Sequence, residues 1–141
     1  MQLVVFLLVY PLLWLVSRLP FKALYFLSDG VYVILYHLVG YRKKVVRGNL
    51  ALVFPHKSEL ERKSIEKKFY KHLCDMFLEM IKTMGISNAQ LQRRFTFTNP
   101  EVLHQLEEKK LSVMLMFPHY ASWEWVIALD KHIASKGYAI Y

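Results

Sequence analysis

The residues best placed to do chemistry in this 141-residue chain are His119 and Glu124. They lie in LSVMLMFPHYASWEW, Leu111 to Trp125, where an apolar run from Val113 to Phe117 stops at Pro118. An apolar run of that length, bounded by a proline, predicts a short buried β-strand. The residues from Tyr120 to Ser135 read as a helix. A histidine at a strand's end with an acid one helical turn further on suits proton transfer. Imidazole accepts and returns a proton near neutral pH, and a carboxylate can fix its tautomer.

Spacing alone is weak evidence. With six histidines and eleven acids, an acid five places after a histidine arises about half a time by chance. A second match, His56 and Glu61, has a structural explanation: Ser58 and Glu61 form the S-x-x-E pattern of a capping box. His119 has the more specific address, because α/β sheets place ligands at the C-terminal ends of their strands. On these grounds alone, both a catalytic and a structural histidine remain open.

The positioning elements must come from one domain at most, given the length. Hydrophobic residues make up 55% and aromatics 15%, which excludes a disordered chain. The net charge of +8 favours nucleic acid or an anionic membrane surface. No nucleic-acid-binding signature is present, so the apolar N-terminus makes membrane the better reading. A single cysteine, Cys74, excludes an internal disulfide framework and a cysteine-rich metal site, and its helical context predicts a packed residue. No metal site and no cofactor are expected.

Leu3 to Val16 is apolar apart from Tyr10 and is interrupted by Pro11. That is short of the roughly 20 residues of a full span. No basic start or A-x-A site marks a cleaved signal. Residues 1–40 therefore read as an uncleaved anchor, spanning or interfacial, with a buried core helix as the rival. Pro20 to Gly40 predicts a second helix, with Asp29 and Gly30 as a break. Arg42, Lys43, Lys44 and Arg47 follow and suit lipid phosphates on the cytoplasmic side, or a solvated loop. Asn49 to Phe54 is a short apolar piece before a turn. Ser58 to Met84 is the clearest helix. Its apolar stripe (Ile65, Phe69, Leu73, Met76, Phe77, Met80, Met84) reads as core, and its opposite charged face (Arg62, Lys63, Glu66, Lys67, Lys71) as solvated. Phe95 to Thr98 alternates like a strand, Glu101 to Lys109 reads as a helix, and Tyr138 to Tyr141 as another strand. The fold class expected is α/β. Strand, helix, strand make one βαβ unit. Such a small sheet with open edges is not a finished domain, so the chain reads as the N-terminal part of a longer one.

Several blocks, in order, carry a family resemblance. Tyr41-Arg42-Lys43 with Val45 to Leu50 leads into Phe54-Pro55. Lys68 to Asp75 reads KFYKHLCD. Phe97 to Glu101 precedes the apolar run, and His119-Tyr120 with Trp123-Glu124-Trp125 ends the series. The chain resembles the lipid A biosynthesis (lauroyl/myristoyl) acyltransferases, and more closely their Bacteroidetes-type lysophospholipid acyltransferase-like relatives. Pro118, Ala121 and Ser122 stand where the family block has Gly, Gly and Asn.

The resemblance implies membrane-associated helices over 1–40. Over 41–141 it implies the start of a glycerolipid-acyltransferase-like αβ sheet domain, truncated at its C-terminus. It also implies acyl transfer from an acyl-carrier-protein thioester to a hydroxyl of a membrane glycolipid or lysolipid, at the cytoplasmic face of the bacterial inner membrane. His119 is then the general base and Glu124 its orienting acid. Tyr120, Ser122 and Trp123 are candidate substrate contacts, with a helix cap the bland role for Ser122 and core packing that for Trp123. Rivals are an acyltransferase with another lipid acceptor, a non-catalytic membrane-anchored protein, and a basic nucleic-acid binder. The last is disfavoured; no nucleic-acid partner is expected.

Overall fold

The computed structural model describes residues 2–138, whose regular elements are all helices. Two compact units divide the chain, Met1–Met84 and Gly85–Tyr141. In the first, α1 (Gln2–Arg18) contains Pro11 without ending there. Helix α2 (Phe21–Tyr32) begins after Pro20 and continues as a π-helical segment, Val33–Val39. Gly40 stops it at φ 64°, the left-handed conformation that glycine adopts most cheaply. Asp29 and Gly30 do not break the helix; the winding changes three residues later. Helix α3 (Lys43–Val53) absorbs most of the basic cluster and of the apolar piece after it, so Lys43, Lys44 and Arg47 stand on a helix and Arg42 just before it.

Helix α4 (Glu59–Lys82) organises this unit. Its start is the expected capping box: the Glu61 N–H donates to Ser58 Oγ at 3.3 Å, and the Ser58 N–H donates to Glu61 Oε2 at 2.8 Å. Its buried residues are Glu66, Tyr70, Cys74, Leu78 and Lys82, a run at intervals of four. The stripe expected to be core is not this one. Phe69, Phe77, Met80 and Met84 are exposed, and Ile65, Leu73 and Met76 are half-buried. Cys74 is buried as expected.

The reason is the polar character of the surface that α4 packs on. Lys71 Nζ lies 3.1 Å from Asp29 Oδ1, Ser28 Oγ donates to Asp75 Oδ1 at 2.6 Å, and Tyr25 OH donates to Glu79 Oε1. Residue numbers rise along α4 as they fall along α2, so the two helices are antiparallel. Further on, Lys82 Nζ donates to the Ser17 and Leu19 carbonyls, 2.7 Å each. These are carbonyls at the C-terminal end of α1, which have no partner within the helix. At the other end of α4, Arg47 forks onto Glu66 at 2.9 and 3.2 Å, and Tyr70 OH donates to the Tyr41 carbonyl. Buried polar groups must be paired, so the face that can pair them turns inward.

In the second unit, α5 (Asn88–Arg94) starts with a capping box of its own, Ser87 with Gln90. Helix α6 (Glu101–Glu108) falls within the expected span. A 3-10 helix, Trp123–Lys131, replaces the longer helix expected from Tyr120 to Ser135. Leu91, Trp125, Ala128 and Leu129 are buried here.

The expected αβ sheet domain is overturned: the described residues contain no strand. Residues 111–118 form no regular element and are exposed, and no ladder bonds join them to Phe95–Thr98. An apolar run predicts extended backbone, but a strand exists only when a second segment pairs with it. The strand expected at Tyr138–Tyr141 lies, beyond its first residue, outside the described residues. Replacing Lys82 with methionine leaves two α1 carbonyls without their donor. Lys82→Met is therefore expected to destabilise the first unit by about 2 kcal/mol. Urea unfolding in detergent micelles measures this, and an unchanged midpoint would mean that the lysine does not tie α1 to α4.

Candidate active site

His119 is held in a tight backbone turn. Pro118 fixes its own φ, and its carbonyl accepts the Tyr120 N–H at 2.9 Å. A bond across three residues makes His119 the apex of a γ-turn-like bend, and its side chain is exposed. The imidazole is not loose, because its ring meets the Trp123 ring edge-on at 4.2 Å between centroids. Phe117 lies 6.4 Å from the same indole. Sequence spacing put His119 at a strand's end; the structure puts it on a turn between an irregular segment and a 3-10 helix.

Ala121, two residues on, has φ 50°. An L-residue with a Cβ meets its own carbonyl there at a cost of roughly 1–2 kcal/mol. This explains physically why a glycine suits the position. Ser122 occupies the N-cap position of the 3-10 helix, its side chain making no capping bond, while its carbonyl accepts the Trp125 N–H at 3.0 Å. Trp123 and Trp125 take opposite roles. Trp125 is buried in the core of the unit, and half-buried Trp123 braces the histidine. Tyr120 is 79% exposed and so free to meet a ligand.

Glu124 is half-buried in the first turn of the 3-10 helix. Among the described residues no hydrogen bond joins it to His119. The two are neighbours along the chain, and the turn and the Trp123 contact orient the histidine. Of the four cations at 42–47, Arg47 is engaged by Glu66, and Lys43 Nζ sits 4.0 Å from the centroid of the Tyr36 ring. Arg42 and Lys44 are exposed. Among the described residues no three His, Cys, Asp or Glu side chains come together as a metal site.

Two residues missed by sequence reasoning hold the far end of the 3-10 helix. His104 Nε2 lies 2.7 Å from the His132 carbonyl, and Glu107 Oε1 accepts the Ala134 and Ser135 N–H groups at 3.0 and 2.7 Å. Their partners are backbone atoms some 28 residues away. Only an acid and a histidine one turn apart on α6 hinted at a shared task.

A family model for the bacterial lipid A biosynthesis acyltransferases matches residues 1–134. The chain belongs to this family. The Escherichia coli K-12 protein named lipid A biosynthesis lauroyltransferase is 26% identical over 112 residues, which cover 79% of this chain and 37% of that relative. The chain thus spans little more than a third of the length of the curated relative it matches. No solved structure matches. The matched range includes residues 117–125, where Ala121 has its strained conformation.

Ala121→Gly is expected to stabilise the second unit by about 0.5–1 kcal/mol, the strain relieved less the entropy that glycine adds to the unfolded chain. A thermal midpoint no higher than that of the parent would count against strain at this turn. The bonds from Ser135 and then Ala134 hold the Glu107 carboxyl below its usual range. A lowered folded-state value means that this clamp stabilises fully above the ordinary glutamate range and is lost as pH falls through and below it. Hydrogen exchange at the Ala134 and Ser135 amides, followed as pH is lowered past 4, is expected to lose protection in the parent. Glu107→Gln should flatten that pH dependence.

Proposed function

We propose that this chain carries the acid–base part of an enzyme that moves a fatty acyl group from an acyl-carrier-protein thioester to a hydroxyl of a lipid A-type glycolipid precursor. The observation that carries the proposal is the presentation of His119. It is exposed at a turn apex, braced by Trp123, and followed by Glu124 in the first turn of the next helix, in a chain of this family.

His119 accepts the proton of the acceptor hydroxyl as the oxygen attacks the thioester carbonyl. The tetrahedral intermediate collapses, the carbon–sulfur bond breaks, and the imidazolium returns the proton to the leaving thiolate. An acyl ester and a free thiol result, with no covalent enzyme intermediate. Glu124 orients the ring and stabilises the imidazolium. Their hydrogen bond forms as substrate fills the turn, since bonds of this kind tighten in the substrate complex. Tyr120 and Ser122 flank the histidine and contact substrate, and Trp123 sets the plane of the imidazole.

The lipid acceptor sets the location, the cytoplasmic face of the bacterial inner membrane. Helix α1 supports this: from Leu3 to Leu15 its apolar side chains, half-buried Leu13 apart, are exposed around the helix, a pattern suited to a lipid environment. Among the described residues no single helix is long and apolar enough to cross a membrane, whereas the pair Phe21–Val39 and Lys43–Val53, bent by 95°, is so taken together. Arg42, Lys43, Lys44 and Arg47 then lie near lipid phosphates.

Membranes containing the natural-length protein, supplied with labelled acyl-carrier-protein thioester and total lipids, test the reaction. His119→Ala is expected to lower turnover by about a thousandfold and Glu124→Gln by about a hundredfold, with membrane association intact. Equal turnover in parent and His119→Ala would remove His119 as the base. The labelled product separates a lipid A precursor from another lysolipid.

A further inference from the structure

Ten lysines and arginines but only three acids lie between Arg42 and Lys71, so this stretch holds a net +7 of the chain's +8. It is the hairpin formed by α3 and the first half of α4, closed by Arg47 on Glu66 and by Arg62 donating to the Phe54 and Lys57 carbonyls. Two of the three acids within it are already occupied. Glu66 is buried against Arg47, Glu61 is taken up by the capping box, and Glu59 stands in the first turn. Arg42, Lys44, Lys63, Lys67 and Lys68 remain exposed. Large apolar side chains are exposed among them: Leu52 at 81%, Leu60 at 80%, Val53 at 65% and Val45 at 48%.

We infer that the α3–α4 hairpin lies on an anionic phospholipid surface, with Lys63, Lys67 and Lys68 joining Arg42 and Lys44 as headgroup contacts and Leu52, Val53 and Leu60 entering between headgroups. Cations interleaved with exposed apolar residues are the signature of an interfacial helix, since each type of residue finds its preferred depth. A merely solvated charged face would not carry leucines four-fifths exposed. The π-helical segment running into this hairpin is itself apolar and exposed at Val33, Ile34, Leu38 and Val39, so a lipid-compatible surface continues from α2 to the cations. The inference extends the membrane part of the proposed function. It makes the lysines of α4, expected from sequence to be a solvated face, part of the binding surface.

Vesicle co-sedimentation of the full-length protein tests it without turnover, so its failure leaves acyl transfer standing, and the converse. Vesicles are pure phosphatidylcholine or an equimolar mixture with phosphatidylglycerol. The parent is expected to bind the anionic vesicles far more tightly, with binding weakened by salt. The triple variant Lys63→Gln, Lys67→Gln, Lys68→Gln is expected to lose about a hundredfold in that preference, and Arg42→Gln with Lys44→Gln to lose part of it. Circular dichroism confirms that each variant keeps its helices. Equal binding of the parent to both vesicles would overturn the inference, leaving α1 as the anchor. So would a folded triple variant that binds as the parent does, or one that loses only its affinity for acyl carrier protein.

Discussion

The first unit depends on one constraint: the face of α4 that carries Glu66, Tyr70 and Lys82 must find partners wherever it is buried. A buried charge without a partner is far more costly than a misplaced leucine. Arg47 satisfies Glu66, the Tyr41 carbonyl satisfies Tyr70, and the end of α1 satisfies Lys82. Each of these pairs ties α4 to a segment outside it. The pairs at Asp29–Lys71, Ser28–Asp75 and Tyr25–Glu79 then fix the register of α2 on α4. A purely apolar interface tolerates sliding by a turn; a series of directed hydrogen bonds does not.

Turning the polar face inward leaves the apolar face outward. On α4 this inverts part of the arrangement expected of a helix in water, where the apolar stripe buries: Glu66 and Lys82 are buried and much of the apolar stripe is exposed, while Lys63, Lys67 and Lys71 stay exposed. Phe69, Phe77, Met80 and Met84 on α4 are exposed for this reason, and most of α1 is exposed as well. The same inversion is natural where the surroundings are lipid, since helices there gain little by hiding leucine and much by pairing polar groups. The basic hairpin marks where that apolar surface gives way to charge.

In the second unit, local backbone geometry does what side-chain pairing does in the first. Pro118 removes a donor and fixes φ, Ala121 turns the chain through the left-handed region, and the 3-10 helix follows at once. These three steps lift His119 out of the chain. Trp125 anchors the helix from within while Trp123 reaches back to the imidazole. The His104 and Glu107 clamp holds the other end, so the short helix is fixed at both termini despite the weaker bonding of a 3-10 coil.

Local information in the sequence determined a good deal. Ser58 with Glu61 started α4, Gly40 stopped the helical run before it, and Cys74 lay inside; the ordered family blocks around His119 and Glu124 placed the chain in its family. Such features involve residues within a turn of each other, so their energetics are settled by neighbours along the chain. Which face of α4 is buried was decided only by tertiary structure, because it depended on the hydroxyls, carboxylates and carbonyls that α1, α2 and α3 happened to present. The fate of Val113–Phe117 was decided there too. Its composition dictates extended backbone, but a ladder needs a second strand, and hydrogen bonds to a distant segment are not written in the run itself.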